Sequence, residues 1–560
     1  MMHTRGFLVL LGAPLVGLLA TAHEGLRAQL PPAPVPVENP LTPQKALLGK
    51  FLFWEEQLAS DDTMACASCH QPEHGGADGR LRRPNQPVNP GADGLVGTAD
   101  DIRGSLGVVH RAANGDFTPV PTFGFDTQVT GRVTNSFVGA GHHAELFWDG
   151  RASTVFTDPE TQTVAIAFGG ALESQSLGPI LSTVEMGHDG RTWNDVRQKL
   201  QRIQPLRLAT NLTPDLAAGL ASFPTYPDLF RNAFGDPAIT ARRIAFALAS
   251  YQRSLNPDQT PWDRFMAGST TALTAQQQLG WTLFQGNGRC SLCHTPPLFS
   301  DDFYHNLGIR PWQEDPGRMN VTQAMPDRGA FKTPSLRNAG LRPAMLHDGS
   351  MPPLGDPAAA TNPHSMVNLY LTGGGAFRDN LDTFLVPLNQ NGVTLNDMLA
   401  IEDFVQNALT DPRVAQGLPP FDHPMLRGTR FGPRALAPGL AGSTMPELID
   451  HQPVFPGSVG YQVGLVGGQG GGLGFLGFAV DALTPPTYVG ALPLHLGSTA
   501  TGVLLPLAGA VGATGYATWR TNIPNNQALV GLSVFFQGFV QDAASPGGIA
   551  ATAGSEVRLR

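Results

Sequence analysis

All four cysteines of this 560-residue chain fall in two copies of one short motif. The copies are Cys66-Ala67-Ser68-Cys69-His70 and Cys290-Ser291-Leu292-Cys293-His294. Two thiols at this spacing can form thioethers to the vinyl groups of one haem, and the histidine that follows then reaches the iron. A redox-active dithiol or a zinc site also uses paired cysteines, but neither requires a histidine directly after the second one. The motifs therefore predict two covalently bound c-type haems, with His70 and His294 as iron ligands.

The segment before each motif is also repeated along the chain. Residues 41–53 begin Leu-Thr-Pro-Gln and are echoed by residues 273–284, which begin Leu-Thr-Ala-Gln. Thr42 and Thr274 stand where a helix N-cap belongs, and Gln277 completes a capping box with Thr274. Each copy predicts a helix that leads into a haem motif. A third amphipathic helix is predicted from Thr240 to Leu255, where apolar residues recur at intervals of three and four.

Charge and the N-terminus limit the class of protein. The net charge is −9, so the chain has no general attraction to a phosphate backbone, and we expect no nucleic-acid partner. Arg5 precedes an apolar stretch from Phe7 to Ala20, which ends in the small-residue pattern Ala20-Thr21-Ala22. Residues 1–28 are therefore predicted to be a secretory signal peptide. A retained membrane anchor is the alternative, but glycine and proline interrupt the stretch, which is shorter than the ~20 residues of a membrane span. We expect a periplasmic or secreted protein whose mature chain has no membrane span.

From about Pro424 the sequence changes character. Glycine-rich segments separate short runs of apolar or alternating residues at Tyr461–Leu465, Gly502–Leu505 and Leu529–Phe536. Runs of this kind at close spacing predict strands, and a small antiparallel β-sandwich is the expected architecture. The region carries no haem motif, so attachment or partner binding is its default role.

Several stretches between residues 38 and 412 resemble the bacterial di-haem cytochrome c peroxidases and their MauG-like relatives, which are periplasmic proteins with two all-helical cytochrome c-like domains. Besides the haem motifs, the resemblance rests on residues 146–152, 172–186, 251–255 and 331–338. It implies a fold that is mostly α, with two cytochrome c-like haem domains followed here by the small all-β, sandwich-like domain. The expected divisions are 1–28 for the signal peptide, 29–255 for the N-terminal domain with the peroxidatic haem, 256–423 for the C-terminal domain with the electron-transfer haem, and 424–560 for the accessory domain.

The resemblance also implies roles around the first haem. Glu185 is the candidate acid-base residue, because cleavage of a bound peroxide requires a group that removes one proton and returns it to the leaving oxygen. Gln175 would orient peroxide by hydrogen bonds, and Pro179 would pack beside the open coordination position. A sixth ligand from His110, as in resting peroxidases, is an alternative. A calcium ion between the domains is a family feature, although the segment Arg132-Val133-Thr134-Asn135-Ser136 departs from the family pattern there.

Two further residues matter for electron transfer. Trp148 resembles the family's tryptophan between the two haems, where an easily oxidised indole can relay electrons, although a core aromatic is the plainer interpretation. An insertion of about seventeen residues, relative to the family pattern, follows Arg151. Opposite His294 the family has either a methionine, in its peroxidase branch, or a tyrosine, in its MauG-like branch. Tyr370 aligns with that position, and Met366 lies one helical turn away.

The leading functional hypothesis is therefore an enzyme that reduces hydrogen peroxide at the His70 haem, with electrons from a small redox protein, a cytochrome c or a cupredoxin, entering through the His294 haem. The first alternative is a MauG-like oxidase that uses peroxide to withdraw electrons from a side chain of a protein substrate. The second is a non-enzymatic di-haem electron carrier.

Overall fold

The computed structural model describes residues 29–81, 86–358, 361–427, 434–435, 441 and 445–560. The signal peptide expected at residues 1–28 lies outside the described residues. The α-helices of the described residues lie between residues 43 and 416. They are α1 Pro43–Phe53, α2 Cys66–Cys69, α3 Ala171–Leu181, α4 Trp193–Arg202, α5 Pro214–Ser222, α6 Tyr226–Phe234, α7 Ala241–Arg253, α8 Pro261–Met266, α9 Ala275–Gln285, α10 Met319–Thr322, α11 Met366–Leu371, α12 Leu395–Asp403 and α13 Pro412–Gln416. Within the described part of the chain, no helix has the length and hydrophobicity that a membrane span requires.

The two helices that lead into the haem motifs are confirmed. The Thr42 side chain caps α1 by accepting a hydrogen bond from the backbone N–H of Lys45. Thr274 and Gln277 form the expected capping box at the start of α9. The third predicted helix is α7, which begins after its N-cap Thr240. These ends could be predicted because a cap is decided by residues three apart in the sequence.

The same close contact joins two helices in each half of the helical region. Gly49 of α1 lies so near the backbone carbonyl of Ala247 in α7 that a Cβ atom would overlap it. Gly280 of α9 stands in the same relation to the carbonyl of Ala400 in α12. Only glycine lets the two backbones approach this closely. The repeat seen in the sequence is therefore also a repeat of helix packing, and each copy places a haem motif beside a helix pair.

Small two-stranded ladders interrupt the helical region: β1 Leu106–Val109 with β2 Thr127–Val129, β3 Phe156–Thr157 with β4 Val164–Ile166, and β5 Tyr304–His305 with β6 Phe331–Lys332. The first ladder lies against the pocket described below. The strands of the third ladder are connected by residues 306–330, which include α10. These loops are long, as the 66 glycines and 49 prolines of the sequence indicate.

Strands make up the C-terminal region: β7 Arg434–Ala435, β8 Glu447–Ile449, β9 Tyr461–Gln469, β10 Leu473–Ala479, β11 Ala482–Val489, β12 Leu492–Leu496, β13 Thr501–Pro506, β14 Thr514–Thr521, β15 Ser533–Gln541, β16 Ile549–Ala551 and β17 Ser555–Arg558. They form antiparallel sheets in the orders β13-β10-β15-β17-β7, with β16 on β15, and β14-β9-β8, and β11 pairs with β12. Side chains of both larger sheets share one core, which includes Val463, Leu476 and Phe536.

The expected change from helix to strand is confirmed, with one correction at its boundaries. The run Leu529–Phe536 was expected to be a strand throughout, but β15 begins only at Ser533. Residues 527–529 form a 3₁₀ turn instead. Asn526 caps that turn by accepting a hydrogen bond from the N–H of Ala528, and Gly531 has a positive φ of 88°. The cap at Asn526 and the positive φ of Gly531 therefore outweigh the tendency of this apolar run to form a strand. The division of the helical part into two haem domains stays a prediction.

The glycine contact in the first half gives a test of the packing. We expect Gly49→Ala to lower the free energy of unfolding of the haem-loaded protein by about 1–3 kcal/mol, because the added methyl must force α1 away from α7. Gly178→Ala is the matched control, since Gly178 also lies in a helix but has open space around its Cα. There the same change is expected to cost less, because the added methyl meets no atom outside its chain neighbours. Equal stabilities in denaturant titrations would contradict the packing account.

Candidate haem-binding sites

A pocket in the N-terminal half brings together residues that lie more than a hundred positions apart. The first haem motif forms α2 and the turn after it, where the N–H of His70 donates to the carbonyl of Cys66. Gln175 and Pro179 are one turn apart on α3, so both face the same way. Residues that line the pocket include Phe53, Met64, Cys66, Cys69, His70, Gln175, Pro179, Glu185 and Leu248.

Both motif histidines are held in the same way. The Nδ1 atom of His70 lies 3.2 Å from the carbonyl oxygen of Gly76, and Nδ1 of His294 lies 3.1 Å from that of Phe299. A carbonyl oxygen only accepts hydrogen bonds, so Nδ1 carries the proton and Nε2 keeps a free lone pair. Burial lowers the pKa of both imidazoles to about 4, so both rings are neutral. This is the form in which histidine binds a metal.

No disulfide joins the four cysteines. Burial raises the pKa of Cys66, Cys69 and Cys290 to about 12, so these thiols are protonated at neutral pH. Among the described residues one group could hold a metal ion, namely Cys293, Asp301 and His305, whose ligand atoms lie within 4.8 Å of one another. Because the second haem motif already uses Cys293, we assign no metal to that group.

Glu185 is fixed in place by its neighbours along the backbone. The N–H of Val108 in β1 donates to the carbonyl of Val184 at 2.9 Å. On the other side, the buried guanidinium of Arg191 donates to the carbonyl of Met186 at 3.1 Å. The residues before and after Glu185 are thus anchored to the body of the protein. The carboxyl group is left to face the pocket that contains His70.

The surroundings of Glu185 favour a protonated carboxyl group. Burial raises the pKa of Glu185 above its ordinary value of 4.5, while a hydrogen bond from Ser182 and the positive charge of Arg151 act in the opposite direction. A carboxyl with a raised pKa can accept and return a proton nearer neutral pH than an exposed one. The environment is therefore suited to acid-base work.

The structure does not bring His110 into this pocket. Its Nδ1 atom lies 2.9 Å from the hydroxyl of Thr118, and its Nε2 atom lies 3.1 Å from a carboxylate oxygen of Asp189. Both ring nitrogens are thus engaged by the protein. The alternative of His110 as a sixth ligand would need these contacts to break.

The second motif opens into a larger cavity. Cys290, Cys293 and His294 line it, and so do both candidates for the opposite ligand. Met366 and Tyr370 are four residues apart on α11, which gives them the same helix face. Burial raises the pKa of the Tyr370 phenol. The geometry alone leaves both candidates facing the cavity.

Trp148 lies at the wall between the two sites. It lines the C-terminal cavity, and its indole N–H donates to the carbonyl of Val133 at 2.7 Å. The next residue, Thr134, lines the N-terminal pocket. Trp148 is 8% exposed, so it is also a core residue. The relay role of Trp148 stays a prediction.

No role for His347 is predicted from the sequence, although a repeated turn points to it. In each copy a bulky residue with a positive φ precedes the aromatic one: Phe147 at 68° before Trp148, and Leu346 at 69° before His347. An aspartate and a glycine with positive φ follow in both copies. His347 therefore occupies the place of Trp148 in the second copy, and the two ring centroids are 6.3 Å apart. The Asp-Gly pair that both turns share is the sequence signal that could have identified His347.

The polar rim of the C-terminal cavity fits a haem, which carries two carboxylate groups at one edge. Nε2 of His347 and Nε of Arg310 are buried without a hydrogen-bond partner among the described residues. Burial lowers the pKa of Arg342 to about 10, and no nearby negative charge offsets this effect. An anionic edge would supply partners for all three groups. The rest of the lining is mainly apolar, with Leu307, Met398, Ile401 and Val405 among its members.

Comparison with known proteins leads to the same family. Residues 43–271 match the family model described as di-haem cytochrome c peroxidase. The methylamine utilization protein MauG of Methylophilus methylotrophus is 29% identical over 348 residues, which are 60% of this chain and 80% of that protein. The cytochrome c peroxidase Ccp of Escherichia coli is 28% identical over 331 residues, 58% of this chain and 54% of Ccp. The cytochrome c551 peroxidase of Nitrosomonas europaea is 27% identical over 328 residues, 58% and 74% of the respective chains. Residues 43–271 of the chain thus match the di-haem cytochrome c peroxidase family, and the similarity to peroxidases and to MauG indicates an oxidoreductase.

Proposed function

We propose that this protein is a periplasmic or secreted peroxidase that reduces hydrogen peroxide in the pocket of His70. Electrons reach it through the cavity of His294 from a small redox protein. The observation that carries the proposal is the meeting of Glu185 and Gln175 with the first haem motif in one pocket. An electron carrier has no use for an acid-base group beside an open face, so the carrier alternative is the least supported of the three.

The layout of the chain follows from this assignment. Residues 29–255 form the domain with the peroxidatic haem, 256–423 the domain with the electron-transfer haem, and 424–560 an accessory β-sandwich. Cys66 and Cys69 attach the first haem, and Cys290 and Cys293 attach the second, with His70 and His294 as iron ligands through Nε2. When bound, the haems supply the redox chemistry that cleaves the oxygen–oxygen bond. The calcium ion that the resemblance implies stays a prediction.

The side chains of the first pocket transfer the proton and orient the peroxide. Glu185 accepts the proton from the inner oxygen of the peroxide and returns it to the outer oxygen, so that water can leave. The amide of Gln175 orients the peroxide by hydrogen bonds. Pro179 packs beside the open position and offers no ligand atom. Trp148 forms the relay between the sites, since an indole is the side chain there that is most easily oxidised.

The first experiment removes the proton acceptor. We expect Glu185→Gln to leave both haems attached and to lower the turnover of peroxide by on the order of 10²-fold or more. The ionised carboxyl is needed to accept a proton, so turnover of the parent protein falls as the pH drops through the raised pKa of Glu185, above the ordinary 4.5. The Gln variant should lack this acid limb.

Glu38→Gln is the matched control, because Glu38 is exposed and is not among the residues that line the pocket. It should keep the turnover and the pH profile of the parent protein. Turnover in Glu185→Gln at the parent level would refute the assigned role.

A MauG-like oxidase of a protein side chain is the second candidate, and the presence of Tyr370 in the second cavity favours it. A phenolate ligand lowers a haem potential, whereas a thioether raises it. A low potential at this site favours withdrawing electrons from a substrate over accepting them from an ordinary cytochrome.

The ligand can be identified spectroscopically. If Tyr370 is the ligand, Tyr370→Phe should change the low-spin electron paramagnetic resonance signal of the His294 haem, and Tyr370→Met should raise its potential. Met366→Leu, which alters the same face of α11, should leave both unchanged. A thioether-to-iron absorption band that survives Tyr370→Phe and disappears in Met366→Leu would instead assign the methionine and the peroxidase branch.

A further inference from the structure

The C-terminal β region contacts the helical part at several places, among them the Arg207 side chain over the ring of Phe455, and one contact is built around a buried aromatic residue. Phe117 lies in the connection between β1 and β2 and is 3% exposed. It packs with Val109 of β1 and with Ile449 of β8 in a small separate core. Its backbone N–H donates to the hydroxyl of Thr518 in β14 at 3.0 Å. Gly464 in β9 makes room for the ring, because a Cβ there would lie 2.8 Å from Phe117 Cδ2.

Contacts at the edge of this core align the two parts but add little stability. Arg520 of β14 and Asp116 form an ion pair of 2.7 Å, and both side chains are more than a third exposed. Exposed pairs of this kind contribute little to stability. The rings of Phe125 and Tyr516 lie 5.1 Å apart. The apolar residue Phe117 is therefore the main anchor between the two parts at this point.

The other face of the same hairpin, residues 106–129, holds the segment that carries Glu185. We call residues 182–189 the Glu185 loop. Its two ends bond to β1 and the residues after it, through the N–H of Val108 to Val184 and the N–H of Asp189 to the carbonyl of Arg111 at 3.0 Å. The side-chain amide of Gln128 in β2 donates to the carbonyl of Thr183 at 2.7 Å.

The hairpin therefore stands between the β region and the acid-base residue. Val108 bonds to the Glu185 loop, and its neighbour Val109 belongs to the core shared with Ile449. The Glu185 loop has no helix or strand of its own. Its position depends on this support, on Arg191 and on Ser60, whose backbone N–H donates to the carbonyl of Met186 at 2.8 Å. Gly107 shows how close the contact is, because a Cβ there would overlap the carbonyl of Val184.

We propose that the C-terminal β region is a positioning element of the peroxide site: it clamps the 106–129 hairpin through Phe117, and the hairpin fixes the Glu185 loop. The proposal rests on the function proposed for Glu185. It gives the β region a part in catalysis in place of the default role of attachment or partner binding. The same clamp holds the segment of His110 against Thr118 and Asp189.

Hydrogen exchange of the haem-loaded full chain tests the clamp without reference to activity. We expect Phe117→Ala to speed exchange in peptides that cover 182–189 by on the order of 10-fold or more, because the loop loses its support. Phe117→Leu, which keeps an apolar side chain, should restore most of the protection. Phe475→Ala is the matched control, since Phe475 is a phenylalanine on β10 of the same region that is 37% exposed. If Phe117→Ala does not fold, Gly464→Ala presses a methyl on the same ring and gives the same readout.

Faster exchange that is confined to the hairpin and the β region, with 182–189 protected as in the parent protein, would overturn the proposal. A double-mutant cycle then links the clamp to catalysis. Phe117→Ala should lower kcat about 10-fold to 100-fold when Glu185 is present and have little further effect in Glu185→Gln. Fully additive effects would show a structural role only. Parent-level turnover in Glu185→Gln would refute the proposed function, and the exchange data would still decide whether the clamp exists.

Discussion

The hydrogen bond from Nδ1 of each motif histidine to a backbone carbonyl is the constraint on which both sites depend. It fixes the ring, the tautomer and the free nitrogen at once, for His70 through Gly76 and for His294 through Phe299. Each carbonyl lies a few residues after its histidine, so the turn that follows the motif is part of the ligand geometry. Glu185 lines the pocket of His70 and Tyr370 lines the cavity of His294, so the direction of each free nitrogen decides what these side chains can reach.

Local signals in the sequence were sufficient for much of the fold. The caps at Thr42, Thr240 and Thr274 and the haem motifs act within a few residues, and the helices begin where these residues predict. The strand expected from Leu529 failed because a 3₁₀ turn and Gly531 compete with it locally. The change from helices to strands was visible in composition alone.

The assembly of the sites was not accessible in the same way. Residues 175 and 185 could be tied to His70 only through a family resemblance, since no local pattern brings positions a hundred residues apart into one pocket. His347 was missed because its turn diverged in the aromatic position. The contact of Phe117 with Ile449 joins positions more than three hundred residues apart, and an apolar residue in a loop carries no signal of what will cover it.

The central claim is that one haem has an open face beside Glu185 while the other is closed by a protein ligand. Absorption and electron paramagnetic resonance spectra of the purified protein at defined potentials test it most directly. The account predicts two haems: one with a free or exchangeable position that binds cyanide and reacts with peroxide, and one that is six-coordinate and low-spin. Two haems that are six-coordinate in every redox state, with spectra unchanged by cyanide or peroxide, would contradict it and identify an electron carrier.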